Sequence, residues 1–378
     1  MITEAQVREA LRKVLDPEIG RPIEDLGMLE GIEVDDDVVR VHVLLTIAGC
    51  PLQDRITGDV KGALAPLGVE RVEVRMSPMS EQQRTELVER LRGPGAAAGA
   101  PQQPTFFTDG KTSVIAVASG KGGVGKSSVT VNLAVALAAE GHRVGVLDAD
   151  VWGFSVPRMM GVFGQPVGFN DMILPLEAHG VKVISMGFFV PEDTPVIWRG
   201  PMLHKAIEQF LGDVYWGDLD VLLVDLPPGT GDVSISLASF LPGAAMLVVT
   251  TPQEAARKVA ERAGRMAERT NLRPIGVIEN MSSFVCPHCG EETRIFGEGG
   301  GREAAETLGV PLMGEIPLVA AVREGGDAGT PIVVSDPDSP AGAALREAAR
   351  KVAQVTRSKV GRPLTLLAGP GAPGAHAH

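Results

Sequence analysis

The chain of 378 residues carries 47 acidic against 35 basic side chains, a formal net charge of −12. Apart from a local basic patch, this balance argues against affinity for nucleic acid or an anionic membrane. Hydrophobic residues at 44% and charged residues at 22% suit a globular chain with a sizeable core rather than a disordered one. Three cysteines, Cys50, Cys286 and Cys289, exclude a disulfide-stapled fold. No run of about 18 apolar residues suggests a membrane span, and residues 1–15 are too charged for a signal peptide. A reducing cytoplasm is the expected location.

Near the start, Val7, Ala10, Leu11 and Val14 recur at helical spacing, and Val39, Val41, Val43 and Leu45 alternate as a strand. A helix over 56–64 and a short strand over 69–74 follow. Residues 1–92 therefore read as a small α+β domain, closed by a solvated helix over 81–92. Residues 93–104 contain no charge and no large side chain, so 93–110 reads as a flexible linker. From 111 the pattern changes. The apolar runs 114–118, 144–147, 221–224, 246–249 and 275–278 are each too short for a helix and are separated by helical stretches such as 126–140. Strands apolar on both faces predict an α/β domain over 111–357, its mainly parallel sheet covered by helices on both faces. The Gly-, Pro- and Ala-rich 358–378 reads as a disordered tail.

Between the first of these strands and its helix lies Gly120-Lys121-Gly122-Gly123-Val124-Gly125-Lys126-Ser127, the phosphate-loop pattern G-x-x-x-x-G-K-[ST] in its proper context. Glycines let the backbone turn its N–H groups inward, and the helix N-terminus adds positive potential. Lys126 can reach the terminal phosphates, and Ser127 can ligate Mg²⁺. Residues 120–127, with Ser128, are the nucleotide-binding candidates; the plain alternative is a glycine-rich turn. Lys121 stands too early in the loop to fold back easily onto its own phosphates.

Cys286-Pro287-His288-Cys289 is a C-x-x-C pair. One pair cannot fill a four-coordinate metal site, and the chain has no second one. Two copies across a dimer axis supply four thiolates, enough for Zn²⁺ or an iron–sulfur cluster. A redox pair is the alternative, although the motif follows a strand end rather than the strand–helix junction of a thioredoxin-like unit. His288 reads as a loop residue.

Lys121 and the residues after it resemble the deviant Walker A signature K-G-G-x-G-K-[ST] of the MinD/ParA/Mrp class of P-loop NTPases. That resemblance implies that Lys121 crosses a dimer interface to the partner's nucleotide. It further implies that Asp150 is the switch I aspartate orienting the attacking water, with Asp148 supporting the loop or metal shell. Asp225, followed by Leu226-Pro227-Pro228-Gly229-Thr230-Gly231-Asp232, matches the Walker B aspartate of the Mg²⁺ shell and a γ-phosphate-sensing switch. Asn280 matches the adenine-reading asparagine, whose amide suits the N6/N7 edge.

Trp198-Arg199-Gly200-Pro201-Met202, Gln209-Phe210 and Phe296-Gly297-Glu298-Gly299-Gly300-Gly301 extend the likeness. Asp16-Pro17-Glu18, Asp25-Leu26-Gly27 and Gly49-Cys50-Pro51 resemble the MIP-type domain of iron–sulfur assembly proteins. Over nearly its whole length the chain resembles the Mrp/ApbC-type iron–sulfur cluster carrier ATPases. One departure is Ile316-Pro317-Leu318-Val319, where that family often has Asp-Pro after a leucine; base contacts in that loop stay unassigned.

The resemblance implies a P-loop NTPase that binds ATP and Mg²⁺, hydrolyses slowly, and passes a [4Fe–4S] cluster to apo-proteins. Its catalytic residues would be Lys121, Lys126 and Asp150, with Ser127, Asp148 and Asp225 around Mg²⁺. Cys286 and Cys289 of two subunits would bridge the cluster in a homodimer. Apo iron–sulfur proteins and cluster-assembly scaffolds are the implied partners, with neither nucleic acid nor membrane. Two rival readings stand beside it. A MinD/ParA-like positioning ATPase is opposed by the net charge and by a C-terminus without a basic amphipathic helix. A zinc-bridged ATPase targeting client proteins is not separated from a cluster carrier by the cysteines alone. Cys50 is either a small core residue or a thiol that passes cluster iron.

Overall fold

The computed structural model describes residues 2–17, 19–35, 38–46, 52–69, 71–92, 107, 111–150, 153–169, 172–189, 200–229, 240–241, 243–253, 256–286 and 288–357. Cys50, Trp198, Arg199, Asp232, the tail 358–378 and all of 93–110 except Phe107 lie outside the described residues.

Helix α1 (Glu4–Leu11) starts where Thr3 and Gln6 cap each other reciprocally, satisfying two backbone donors that a helix start leaves open. Strands β1 (Leu29–Val34), β2 (Val38–Leu45) and β3 (Arg71–Pro78) form a three-stranded sheet in that order. The β2–β3 pair is parallel, so the chain must cross over between them. Helix α2 (Gln53–Leu64) makes that crossing and buries Ile56, Val60 and Leu64, one above another at four-residue spacing. Helix α3 (Glu81–Arg92) differs from the expected solvated helix. Leu87 is fully buried in the core of this unit and Leu91 packs against it. Two leucines four apart make one narrow apolar stripe on an otherwise charged segment, too little to stand out in the sequence. The same core takes in Met172 and Leu174 from the larger unit.

In the larger unit, β4 (Ser113–Ala118) leads into α4 (Lys126–Ala139), then β5 (Val144–Asp148) and the short α5 (Val156–Met159). A small hairpin, β6 (Val167–Phe169) with β7 (Met172–Leu174), precedes β8 (Leu176–Ala178) and β9 (Val181–Ser185). Helix α6 (Gly200–Gly212), β10 (Val221–Asp225), β11 (Ala245–Thr250) and α7 (Ala256–Thr270) follow. Then come β12 (Arg273–Val285), β13 (Glu292–Thr293), α8 (Gly300–Leu308), β14 (Leu312–Leu318), α9 (Ala320–Ala328), α10 (Ile332–Ser335) and α11 (Pro340–Arg357). The sheet runs β13-β12-β11-β4-β10-β5-β9-β8, with β14 also on β12. Only the β12–β13 and β8–β9 pairs among these are antiparallel.

Alternate residues of the central strands feed two cores, one on each face. Ala116, Val224 and Val248 meet Phe210, Ala263 and Met266 on one side. Ile115, Leu223 and Leu247 meet Leu133, Leu345 and Ala349 on the other. The expected α/β sheet with helices on both faces is what the chain forms. No described helix is long and apolar enough to cross a membrane. One strand departs from expectation in a way that matters below. The apolar run 275–278 was expected to end just before Asn280, yet β12 continues to Val285. Its polar stretch 279–283 is a poor strand former by composition, and the extension is held by pairing with β14 and by the β13 hairpin.

Candidate functional site

The C-terminal ends of β4, β5, β10 and β11 meet along one edge of the sheet, where open α/β folds place their ligands. The phosphate loop leaves β4 there. Gly123 and Gly125 have φ of +76° and +77°, the left-handed region that glycine enters without penalty. A Cβ on Gly125 would press on the Asn280 amide and displace it, so the glycine, required by its φ, also leaves that side chain its place. Helix α4 then begins at Lys126 and is buried on nearly every side, which fixes the loop to the sheet.

Asp148 and Asp225 are direct register partners on β5 and β10 and both are fully buried. Asp225 accepts from Ser127 Oγ at 2.5 Å and Thr130 Oγ1 at 2.9 Å, and pairs with Lys126 Nζ at 2.7 Å. Asp148 accepts from Ser185 Oγ at 2.9 Å and the Asp150 backbone N–H at 3.1 Å. Burial, reinforced by the neighbouring Asp225 charge, pushes the Asp148 carboxyl up to about 8. The two aspartates thus differ in kind: Asp225 has a buried cation beside it, whereas Asp148 is held by hydroxyl and amide donors. Ser127 and Asp225 bring hard oxygen donors together beside the loop, the donor set Mg²⁺ takes, and Asp148 lies next to them. Asp150 is itself buried at the mouth of this pair. Lys121 Nζ donates to Gln253 Oε1, just beyond β11.

Beside the loop, a cavity of about 310 Å³ is bounded by Gly125, Ser128, Asn280, Met281, Pro317 and Val319. Its lining is mainly apolar with a few polar groups, the make-up of a small-molecule site. Asn280 Nδ2 donates to the Val124 carbonyl at 2.9 Å, which leaves one amide N–H and the amide oxygen for a ligand edge. The stretch after Ile316, expected as a loop and left unassigned for base contacts, is instead the end of β14 followed by Val319, and it forms one wall of this cavity.

The cysteine pair sits where β12 ends. Phe284 and Val285 pair with Thr293 and Glu292, the Cys286 N–H donates to the Glu291 carbonyl, and the Gly290 N–H returns to the Cys286 carbonyl. This tight turn aims the backbone N–H groups of Cys289 and His288 at Cys286, whose thiol is held below the usual range by those donors, the Cys289 N–H foremost. Both thiols are free; Cys286 is half-buried and Cys289 exposed. Among the described residues no group of three or more His, Cys, Asp and Glu is placed to hold a metal ion.

Of the expected site residues, 120–128, Asp148, Asp150 and Asp225 gather around the loop, with Asn280 on its flank, and Cys286 and Cys289 form a separate turn. Sequence reasoning missed Thr130, Ser185, Gln253, Glu279 and Met281. Thr130 lies one helical turn after Lys126 and could have been found by that spacing. Ser185 and Gln253 are brought in by segments remote in sequence, whereas Glu279 and Met281 flank Asn280 but carry no pattern of their own.

Comparison with known proteins places the chain in a lineage. A family model described as NUBPL iron-transfer P-loop NTPase matches residues 110–353, and one described as iron–sulfur cluster assembly protein matches residues 4–75. An iron–sulfur cluster carrier protein of Mycobacterium tuberculosis is 53% identical over 370 residues, covering 96% of each chain. One of Bacillus subtilis is 42% identical over 320 residues, covering 84% of this chain and 89% of the other. A solved nucleotide-binding protein in complex with ADP, from Archaeoglobus fulgidus, is 40% identical with a TM-score of 0.52, covering 58% of this chain and 87% of that one. The phosphate loop and the cysteine turn both fall within the stretch matched by the first model, and the chain belongs to the iron–sulfur cluster carrier family of NUBPL-type iron-transfer P-loop NTPases.

Proposed function

We propose that the protein is a cytoplasmic, homodimeric, ATP-dependent carrier that holds a [4Fe–4S] cluster between two subunits and delivers it to apo-proteins. In this reading residues 1–92 are an assembly domain, which meets scaffolds or clients, and 111–357 are the ATPase. The observation that carries it is the Cys286–Cys289 turn, with one sulfur already favoured as thiolate by backbone donors and only two thiols per chain there. Thiolates are the ligands iron–sulfur clusters take, and two chains complete the set of four.

The geometry around β4 supports the phosphate side of this reading. Loop N–H groups and Lys126 hold the phosphates, Ser127, Asp148 and Asp225 serve the Mg²⁺ that accompanies ATP, and adenine enters the cavity beside Asn280. Mg²⁺ supplies charge neutralisation on the transferred phosphate. Asp150 orients the attacking water, and Lys121 leaves Gln253 to reach the partner subunit's nucleotide. Hydrolysis is slow, as suits a cycle that changes the exposure of a cargo rather than one that makes product. The test is anaerobic reconstitution with iron and sulfide, followed by metal analysis, visible absorption and Mössbauer spectroscopy. One four-iron cluster per two chains, lost in Cys286→Ala and in Cys289→Ala, is the expected result. Stoichiometric zinc with no cluster uptake overturns it in favour of a zinc-bridged client-targeting ATPase.

A further inference from the structure

Three consecutive residues of β12 reach three different parts of the molecule. Glu279 is fully buried, and its Oε2 accepts the backbone N–H of Gly301 at the start of α8. Asn280 holds the phosphate loop through Val124. Met281 lines the cavity beside that loop and has φ of +58°, a left-handed conformation rare for a bulky side chain. The strand register shows the same kink. Asn280 lies opposite Ile316 and Phe284 opposite Leu318, so β12 uses four residues where β14 uses two. On either side of the kink a buried polar atom, Glu279 Oε1 and Ser283 Oγ, has no hydrogen-bond partner among the described residues. A left-handed methionine between two unsatisfied buried groups is backbone strain that persists only where its surroundings hold it. Beyond it, β12 runs straight to Val285 and delivers Cys286 to its turn.

We propose that Met281 is the positioning residue that couples occupancy of the base cavity to the Cys286–Cys289 turn. The inference rests on the reading of that cavity as the adenine site. An adenine face packs on the thioether of Met281 and holds the left-handed bulge. Without that packing the bulge relaxes toward extended backbone. Asn280 is anchored to the loop and Glu279 to α8, so the relaxation shifts the part of the strand beyond the kink, which carries the cysteines and the β13 hairpin paired with it. One bistable element is then biased from both sites, which is the physical requirement for coupling.

The experiment is alkylation of Cys286 and Cys289 by iodoacetamide in the full, cluster-free chain, read at each residue by mass spectrometry. It is run with and without ADP, at concentrations saturating for each variant and at several protein concentrations. ADP is expected to slow Cys286 alkylation in the wild type by about fivefold or more, within the usual range of coupling between sites, independently of protein concentration. In Met281→Gly the left-handed φ is unstrained and the packing surface is gone, so the ADP effect is expected to vanish; Met281→Leu should retain it. Hydrogen exchange over 281–286 in the wild type, slowed by ADP, gives the same answer without a substitution. A wild-type rate and exchange pattern indifferent to bound ADP overturns the coupling, as does a Met281→Gly chain that still responds fully. Calorimetry on the same samples separates the levels: a wild-type chain that binds no ADP overturns the adenine-site reading itself.

Discussion

Lys126 and Asp225 form a buried ion pair at 2.7 Å, and both are committed to the same small volume as Ser127 and Thr130. Removing one member of such a pair strands the other, at about 3–5 kcal/mol, so Lys126→Ala would confuse lost stability with lost binding. Lys126→Gln keeps an amide donor on Asp225's side, on a side chain one atom shorter, and removes the charge; its melting temperature reports what Asp225 loses. A hydrogen bond to a charged group is worth about 1.5–3 kcal/mol, which sets the expected rise in the dissociation constant for ATP at roughly tenfold to a hundredfold. Calorimetry checks it, with the melting temperature as the control for folding. Lys121→Ala is expected to behave differently. Its partner here is Gln253, not the loop, so ATP binding should survive while turnover falls; equal losses in both would place its target on its own nucleotide. The Cys286 thiol, favoured as thiolate by the N–H groups of Cys289 and His288, should alkylate with a midpoint pH below the value of about 8.5 for a free thiol. The sign follows from linkage: donors that favour the anion lower the pH at which it forms. A pH series of iodoacetamide rates measures it directly.

At the scale of elements, α3 and α8 each have one close contact that a single substitution probes. Leu87 is the fully buried anchor of α3 in the N-terminal core. Leu87→Ala should destabilise that unit by about 2–5 kcal/mol, the usual cost of truncating a buried leucine, measurable by urea unfolding of the full chain. The start of α8 depends on Gly301, where a Cβ would lie 2.5 Å from Cβ of Glu279. These two contacts also mark what was legible beforehand. The phosphate loop, the strand-end aspartates and the alternation of strands and helices were readable because each is a local pattern with a fixed spacing. The rest depends on partners distant in the chain. The extension of β12 to Val285 comes from β13 and β14, and the burial of Leu87 comes from strands 40 residues earlier. The left-handed Met281 has no sequence signal, since methionine is not a residue that asks for positive φ.

At the scale of the whole molecule, the phosphate loop, both buried aspartates, Asn280 and the cysteine turn all lie toward one edge of one sheet, and β12 alone connects the last two. A second copy meeting this edge would bring two loops and two cysteine turns together, which is the arrangement the proposed carrier requires. Subunit mixing tests that arrangement without a structure of the dimer. Each chain supplies two thiolates, so a dimer of one wild-type subunit and one Cys286→Ala/Cys289→Ala subunit has only half the ligands of a four-iron cluster. If the apo subunits are allowed to exchange at equal amounts before reconstitution, random pairing leaves about one quarter of the dimers with both pairs. Cluster content should then follow the square of the wild-type fraction, reaching about a quarter of the all-wild-type value at equal mixing. A cluster held within single chains would instead follow the fraction linearly, to about a half. The ATP-binding stoichiometry of the same mixtures should stay at one per chain, because the contacts proposed to bind the nucleotide, Lys121 apart, are made within one subunit and the cysteine variant leaves Lys121 in place. A linear iron titration would dissolve the bridging model while leaving the phosphate site intact; a quadratic one would tie the cysteine turn to a two-fold axis along this edge.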